Sequence, residues 1–244
     1  IILKYKNDSV TYCAIGGDGT LSNLINNLLK NNISDPEVAC LPSGSGSDFM
    51  RTFAFPKNIN EGIKRLKNDQ NYKIDVAYIS SSNKSRYFVN VLNYGFLADT
   101  VHTSESLPRM FKRFRYPISF WLKLLPAKSM LFQIENDRFN FNNLAFNISI
   151  CNGQFFGGGW NISPKSSLQD GLLNIQIFKV SKTKAMKLFF LAKKGLHLTE
   201  PDVILKKSNK VSLLSPNTIE VDGDYFDQGP AEINVKKEAI LLKI

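Results

Sequence analysis

The sequence predicts an α/β layer that lacks part of its N-terminal side, followed by a β-sandwich-like domain. Three observations carry this. An apolar run enters a glycine turn and leaves it with helical periodicity. A second glycine and hydroxyl turn follows another short apolar run. From residue 74 onward, short segments rich in Val, Ile and Phe crowd the chain. The division falls at residue 70, giving an α/β region over 1–70 and a β-rich region over 71–244.

Ile1 to Lys6 is an opening element, and Val10 to Ile15 is an apolar strand. Gly16-Gly17-Asp18-Gly19-Thr20 follows, and Leu21, Leu24, Ile25, Leu28 and Leu29 then recur at helical spacing. Glycines allow positive φ and close approach of a ligand, while free N–H groups at a helix start favour an anion. The turn therefore suits a phosphate. Asp18 would repel that phosphate unless a cation such as Mg²⁺ lay between them, directly or through water. The same residues also suit a plain turn in which Asp18 caps the helix. A layer that reaches this turn so early lacks a strand and helix in front of it, by truncation or because the numbering covers only ordered residues.

Glu37 to Pro42 reads as a buried strand running into Ser43-Gly44-Ser45-Gly46-Ser47-Asp48-Phe49. Ligands of open α/β sheets gather at the carboxyl ends of strands, so two such turns facing one crevice reinforce each other. A loop capped by Ser47 or Asp48 is the plainer alternative. Phe49 stands where a third glycine of GxGxxG would be, and no Gly-Lys-Ser/Thr occurs, so the dinucleotide fingerprint and the P-loop are both excluded.

Ile59 to Leu66 is helical, and Asn68 to Lys73 is a polar linker. Strands are expected at Ile74 to Ser80, Tyr87 to Leu92, Met130 to Glu135, Asn143 to Cys151, Gly171 to Val180, Val203 to Lys207, Lys210 to Leu214, Thr218 to Val221 and Glu232 to Val235. Glu220 to Phe226 reads as a hairpin about an Asp-Gly turn. Gly157 to Gly159 suits a bulge or turn, or close approach of a ligand. His102 and His197 are isolated and read as surface or packing residues, and Trp121 and Trp160 as core or rim aromatics.

The 244 residues, 43% hydrophobic, suffice for two medium domains. No segment resembles a secretory signal or an uninterrupted membrane span, so a soluble protein is expected. Cys13, Cys40 and Cys151 are odd in number and lie in β-like runs, which suits reduced core residues of a cytosolic protein rather than a zinc site. The net charge of +10 is uneven: residues 1–70 carry +1 and the remainder +9. Such an excess suits nucleic acid, anionic membrane or an acidic substrate alike. Between Leu107 and Leu125 an apolar helical stripe runs beside Arg109, Lys112, Arg113, Arg115 and Lys123, broken at Pro117. That face could rest on anionic lipid or simply cover the β domain, and the Lys182 to Lys194 helix has the same two readings.

Gly16-Gly17-Asp18-Gly19-Thr20 and Leu41-Pro42-Ser43-Gly44-Ser45-Gly46-Ser47-Asp48-Phe49-Met50-Arg51 resemble the paired signatures of the diacylglycerol kinase catalytic domain family, which includes bacterial lipid kinases and sphingosine kinases. Lys73 to Tyr78, Tyr87 to Val91, Gly157 to Leu173 and Val221-Asp222-Gly223-Asp224 resemble its later blocks, in the same order. The resemblance implies a NAD kinase/diacylglycerol kinase-like α/β domain that binds ATP with Mg²⁺, and a β domain that completes the cleft. Gly16, Gly17, Gly19 and Thr20 would then hold phosphates, and Asp18 and Asp48 would position the metal. Ser43, Gly44, Ser45, Gly46 and Ser47 would lie along the nucleotide. Asp222 would be the general base, and Asp224 would orient it or touch the metal network. Ser47 stands where the family has asparagine, and Asp224 where it has glutamate. Some bacterial relatives hold a structural Mg²⁺ near an Asp-Asp-Gly segment, where this chain has Gln169-Asp170-Gly171, better described as a turn.

The implied setting is a cytoplasmic protein peripheral at the membrane. A lipid is its substrate, the basic second domain is in contact with the bilayer, no nucleic acid is involved, and a free strand edge is open to homodimerisation. NAD kinases share the Gly-Gly-Asp-Gly-Thr loop and a β domain, but their Gly-Ser-Thr-Ala-Tyr segment is absent here. A non-catalytic nucleotide or lipid binder is the remaining alternative.

Overall fold

The computed structural model describes residues 10–43, 47–67, 70–108 and 115–244. The opening element Ile1 to Lys6, the loop residues Gly44, Ser45 and Gly46, and the stripe residues from Arg109 to Phe114 lie outside the described residues.

Strands β1 (Thr11–Gly16) and β2 (Glu37–Pro42) are parallel neighbours joined by helix α1 (Asp18–Lys30), with Gly16 opposite Pro42. Leu21, Ile25, Leu28 and Leu29 form the buried face of α1, as their spacing requires. A single helical turn, α2 (Asp48–Arg51), follows β2, and α3 (Ile59–Leu66) starts where the Asn58 side chain accepts the N–H groups of Asn60 and Glu61. The long strand β3 (Asn71–Ser81) starts three residues before the expected strand at Ile74, because Asn71, Tyr72 and Lys73, read as linker, pair with Lys243, Leu242 and Leu241. The final strand, β14 (Ala231–Lys243), then returns antiparallel along β3 and parallel to β2, with Leu241 opposite Glu37. The expected domain 71–244 therefore gives up its end to the first layer, where Ile240, Leu242 and Ile244 pack with Ile25, Val38 and Phe49.

The eight-stranded sheet continues from β14 through β11 (Lys210–Leu213) and β6 (Met130–Glu135) to β7 (Asn140–Ala145), with β4 (Ser85–Phe88) paired to β3. Facing it is a six-stranded antiparallel sheet in the order β10 (Val203–Ser208), β9 (Leu173–Phe178), β8 (Asn147–Cys151), β5 (Val91–Gly95), β12 (Thr218–Val221) and β13 (Asp224–Gln228). Ile79, Phe88, Phe132, Ile148, Ile175 and Ile233 fill the space between the sheets, which is the expected sandwich. The outer face of the six-stranded sheet is roofed by α4 (Phe96–Ser106), α5 (Arg115–Leu124) and α6 (Lys182–Ala192).

Two expected strands are each divided between the sheets. Tyr87 to Leu92 is the end of β4 and the start of β5, because the corner at Val89 and Asn90 turns its N–H groups onto Asp222. Asn143 to Cys151 likewise changes sheet after Ala145. The start of α4 lies outside the expected helical stretch. It begins directly after Gly95, whose φ of 106° and closeness to the Phe132 ring exclude a side chain. Cys13 is exposed on β1 rather than buried, since no other described strand covers that edge. Cys40 and Cys151 are buried, and burial pushes both thiols up to about 12, so neither is a nucleophile. His197 is a packing residue, buried with Nε2 2.9 Å from the Gln176 Oε1. Asp170 is a turn residue: it accepts the Leu172 N–H and pairs with Lys207.

Candidate active site

The two glycine turns lie side by side because β1 and β2 are adjacent and parallel. The Ser43 N–H donates to the Gly16 carbonyl at 3.1 Å and ties the turns together. A Cβ at Gly16 would collide with Thr20, so the first turn needs glycine there. Asp18 opens α1 but does not cap it. Its Oδ2 accepts the Asp48 N–H at 2.8 Å and its Oδ1 accepts the Phe49 N–H at 3.0 Å. It therefore caps α2, and the positive end of that helix offsets the charge expected to repel a phosphate.

Asp48, 5% exposed, accepts the Gly158 N–H at 2.8 Å and lies 3.3 Å from Arg51 Nε. Burial lifts its carboxyl above the ordinary value, against the pull of the Gly158 N–H. Gly157, Gly158 and Gly159 have φ of 66°, 86° and 109° in a turn closed by Phe156 and Trp160. A Cβ on Gly159 would press on the Arg51 guanidinium at 3.1 Å. The glycine run is thus a turn and also a wall of the site. Arg51 and Gly158 were not among the expected site residues.

Asp222 and Gly223 form the hairpin turn between β12 and β13, with φ of 51° and 95°. The turn aims the Asp222 carboxylate at the β4–β5 corner. Its Oδ2 accepts the Val89 N–H at 3.0 Å, and its Oδ1 accepts those of Asn90 and Val91 at 3.0 and 3.1 Å. A carboxylate has about four acceptor positions, so these three bonds leave room for another donor. Burial raises the Asp222 carboxyl to about 6, while the three N–H groups and Arg86 act to lower it. Asp224 faces elsewhere: it is exposed, pairs with Arg86 at 3.0 Å, and is not among the residues that line the cavity below.

A cavity of about 760 Å³ joins these groups. Asp18, Asp48, Asn90, Gly158, Asp222 and Gly223 line one part of it. The rest lies between the roof helices and the six-stranded sheet, walled by Phe96, Phe120, Phe146, Phe178, Leu188 and Phe189. Asp18, Asp48 and Asp222 are thus brought to one space. Gly16, Gly17, Gly19, Thr20 and Ser43, at the ends of β1 and β2, are not among its lining residues, and Ser47 is buried at the start of α2. No cluster of three potential metal ligands occurs among the described residues. Asp18 and Asp48 each retain acceptor capacity beyond the N–H groups they bind, so they fit Mg²⁺ held through water and substrate oxygens rather than caged directly.

Residues 4–79 match the family model described as the diacylglycerol kinase catalytic domain. Residues 90–243 match the YegS C-terminal NAD kinase beta sandwich-like domain. The chain is 26% identical over 242 residues to a diacylglycerol kinase of Staphylococcus haemolyticus, covering 95% of this chain and 70% of that protein. It is 26% identical over 229 residues to a diacylglycerol kinase of Bacillus subtilis, covering 90% and 72%. Among solved structures, a diacylglycerol kinase from Bacillus anthracis superposes with a TM-score of 0.73 at 18% identity, covering 99% of this chain and 79% of the other. An NAD kinase from Archaeoglobus fulgidus shares the fold more distantly, with a TM-score of 0.50 at 12% identity over 96% of this chain and 77% of that one. The two family models in tandem account for the α/β layer, the sandwich and the cleft between them: the chain belongs to the diacylglycerol kinase catalytic domain family of bacterial lipid kinases, phosphotransferases with an alcohol as acceptor.

Proposed function

We propose that this lipid kinase moves the γ-phosphate of ATP to the hydroxyl of diacylglycerol or a closely related lipid, with Asp222 as general base. The observation that carries the reading is the single cavity, in which a carboxylate-lined part opens into an aromatic and aliphatic chamber. A soluble nucleotide has no use for that chamber, whereas acyl chains are stabilised by burial at about 0.8 kcal/mol per methylene.

An alcohol is a poor nucleophile until a positioned base takes its proton. The Asp222 turn holds the carboxylate at the chamber's polar end, with an acceptor position left for the lipid hydroxyl. Backbone N–H groups at the start of α1, beside Gly16, Gly17, Gly19 and Thr20, suit the phosphates. Asp18 and Asp48 would hold Mg²⁺ through water, and that ion supplies neutralisation of charge on the phosphate oxygens. Arg51, fixed beside Asp48, offers a guanidinium to the same oxygens.

The chamber suits filling from a bilayer surface. Trp121 and Leu122 on α5, Leu125 just beyond its end, and Met186 and Phe190 on α6 are exposed, Leu125 by 72%. Lys123, Lys182, Lys187, Lys193 and Lys194 accompany them, and Trp121, Met186 and Phe190 also line the cavity. Apolar residues ringed by lysines favour an anionic interface. No helix among the described residues is long and apolar enough to cross a membrane.

The test is incubation of the protein with labelled ATP and Mg²⁺, offering in parallel diacylglycerol in vesicles, a sphingoid base and NAD. Label is expected in the diacylglycerol product. Label in NAD alone, or in no acceptor, would overturn the reading.

A further inference from the structure

Directly beneath the Asp222 turn is a second carboxyl group for which the transfer chemistry above has no role. Glu220 on β12 is completely buried. Its Oε1 accepts the Gly223 N–H, and its Oε2 accepts Asn93 Nδ2 at 2.7 Å. Asn93 Oδ1 in turn accepts the Ser149 hydroxyl at 2.6 Å, Ser149 Oγ accepts Asn147 Nδ2 at 3.1 Å, and Asn147 Oδ1 accepts the Leu97 N–H at 3.0 Å in the first turn of α4.

Glu220, Asn93 and Ser149 stand opposite one another across β12, β5 and β8. They occupy the face that packs against the roof helices, where apolar side chains would be the stable default. A connected row of buried polar groups is stabilising only when each member is satisfied, and it then fixes the geometry of what it joins. Here it joins the turn that carries Asp222 to the helix that roofs the chamber.

We propose that Glu220 is a positioning residue for phosphoryl transfer. Its carboxyl fixes the Gly223 N–H, and with it the aim of Asp222, while the Asn93–Ser149–Asn147 chain couples that aim to α4. The proposal rests on the reading of Asp222 as the base. The charged and titratable groups around Glu220 are Asp222 and Asp224 on the hairpin, Arg86 on β4 paired with Asp224, and Asp99, His102 and Glu105 on α4. His102 stacks on Tyr225, and Glu105 accepts the Tyr225 N–H. Burial pushes Glu220 up to about 8, with Asp222 and Asp224 adding to the effect against its two hydrogen bonds. Between about pH 6 and 8 it is neutral while Asp222 is ionised, and its own ionisation above that range would set a second negative charge under the base.

The experiment compares Glu220→Gln, Glu220→Ala and Ser149→Ala with wild type, measuring kcat and KM for lipid and ATP from pH 5 to 10 alongside thermal unfolding. Gln keeps a neutral group that Asn93 can meet by turning its amide. It is expected to keep kcat within threefold and to lose the alkaline decline near pH 8. Ala is expected to lower kcat at least tenfold with KM for ATP unchanged. Ser149→Ala, which breaks the chain one link away, is expected to lower kcat severalfold and shift the alkaline limb, and it carries the test if Glu220→Ala does not fold. An active wild type whose Glu220→Gln variant keeps the alkaline limb, and whose folded Ala variants match it in kcat, overturns the proposal alone. A wild type that phosphorylates no lipid overturns the kinase reading together with it.

Discussion

Replacing Asp222 with asparagine separates chemistry from structure at the position on which the mechanism turns. The amide carbonyl can keep the Asn90 and Val91 N–H groups, but the NH₂ group must face the Val89 N–H, donor against donor. Loss of one hydrogen bond to a charged acceptor costs about 2 kcal/mol, which for a chain of this size lowers Tm by about 4 to 8 °C. Loss of a positioned base lowers kcat by about 10² to 10⁴-fold. ATP binding is untouched, so ATP should raise Tm of the variant as much as that of wild type. Wild type itself should lose activity on acidification through about pH 6, where Asp222 takes up its proton. Radiometric transfer to vesicle diacylglycerol and thermal unfolding with and without ATP measure these effects. A folded variant with kcat within tenfold of wild type would remove Asp222 from the mechanism.

Ala185, half-buried on α6 and lining the chamber, probes its use: Ala185→Leu adds three carbons and should displace about three methylene groups of an acyl chain, worth about 2.4 kcal/mol and therefore about fiftyfold in KM. Long-chain diacylglycerol should suffer and a short-chain analogue should not, and equal effects on both would argue against acyl chains in the chamber. Leu122 on α5 and Leu125 just beyond its end are exposed and do not line the cavity, so Leu122→Glu with Leu125→Glu should weaken co-sedimentation with anionic vesicles at least tenfold and leave turnover of a dispersed short-chain substrate unchanged. Unaltered sedimentation would assign bilayer contact to another face. Burial holds His197 down to about 4, so the unfolded chain binds its proton first and stability should fall as pH drops from about 6.5 to 4. His197→Gln, which can still bond Gln176, should flatten that loss in pH-dependent unfolding, and an identical acid profile would place the sensitivity elsewhere.

The turn chemistry was legible in the sequence. Gly16 to Gly19 announce themselves by residue type between two clear periodicities, and Asp222-Gly223 reads as a hairpin before any fold is known. Alternation cannot say to which sheet a strand belongs, so the changes of sheet at Val89 and after Ala145 were hidden. Asp18 showed the same limit: its position at a helix start is local, but the helix it caps begins thirty residues later. Gly158 and Arg51 reach the site only because the sandwich folds its glycine turn back onto α2. The chamber had no signature at all, since α6 is separated from α4 and α5 by four whole strands, β6 to β9. Glu220 gave one unread signal, a carboxylate in an otherwise apolar Ile219 to Val221 strand.

The path of β14 has a consequence for how the molecule is made. Its pairing of Leu241 with Glu37 joins residues two hundred apart, so β2 and β3 have no strand between them until residues 231–243 have been synthesised. During translation the nucleotide-side sheet would wait with open edges, a state prone to wrong pairing and slow to resolve. A fragment ending at residue 230 should for that reason aggregate rather than fold as a free-standing first half.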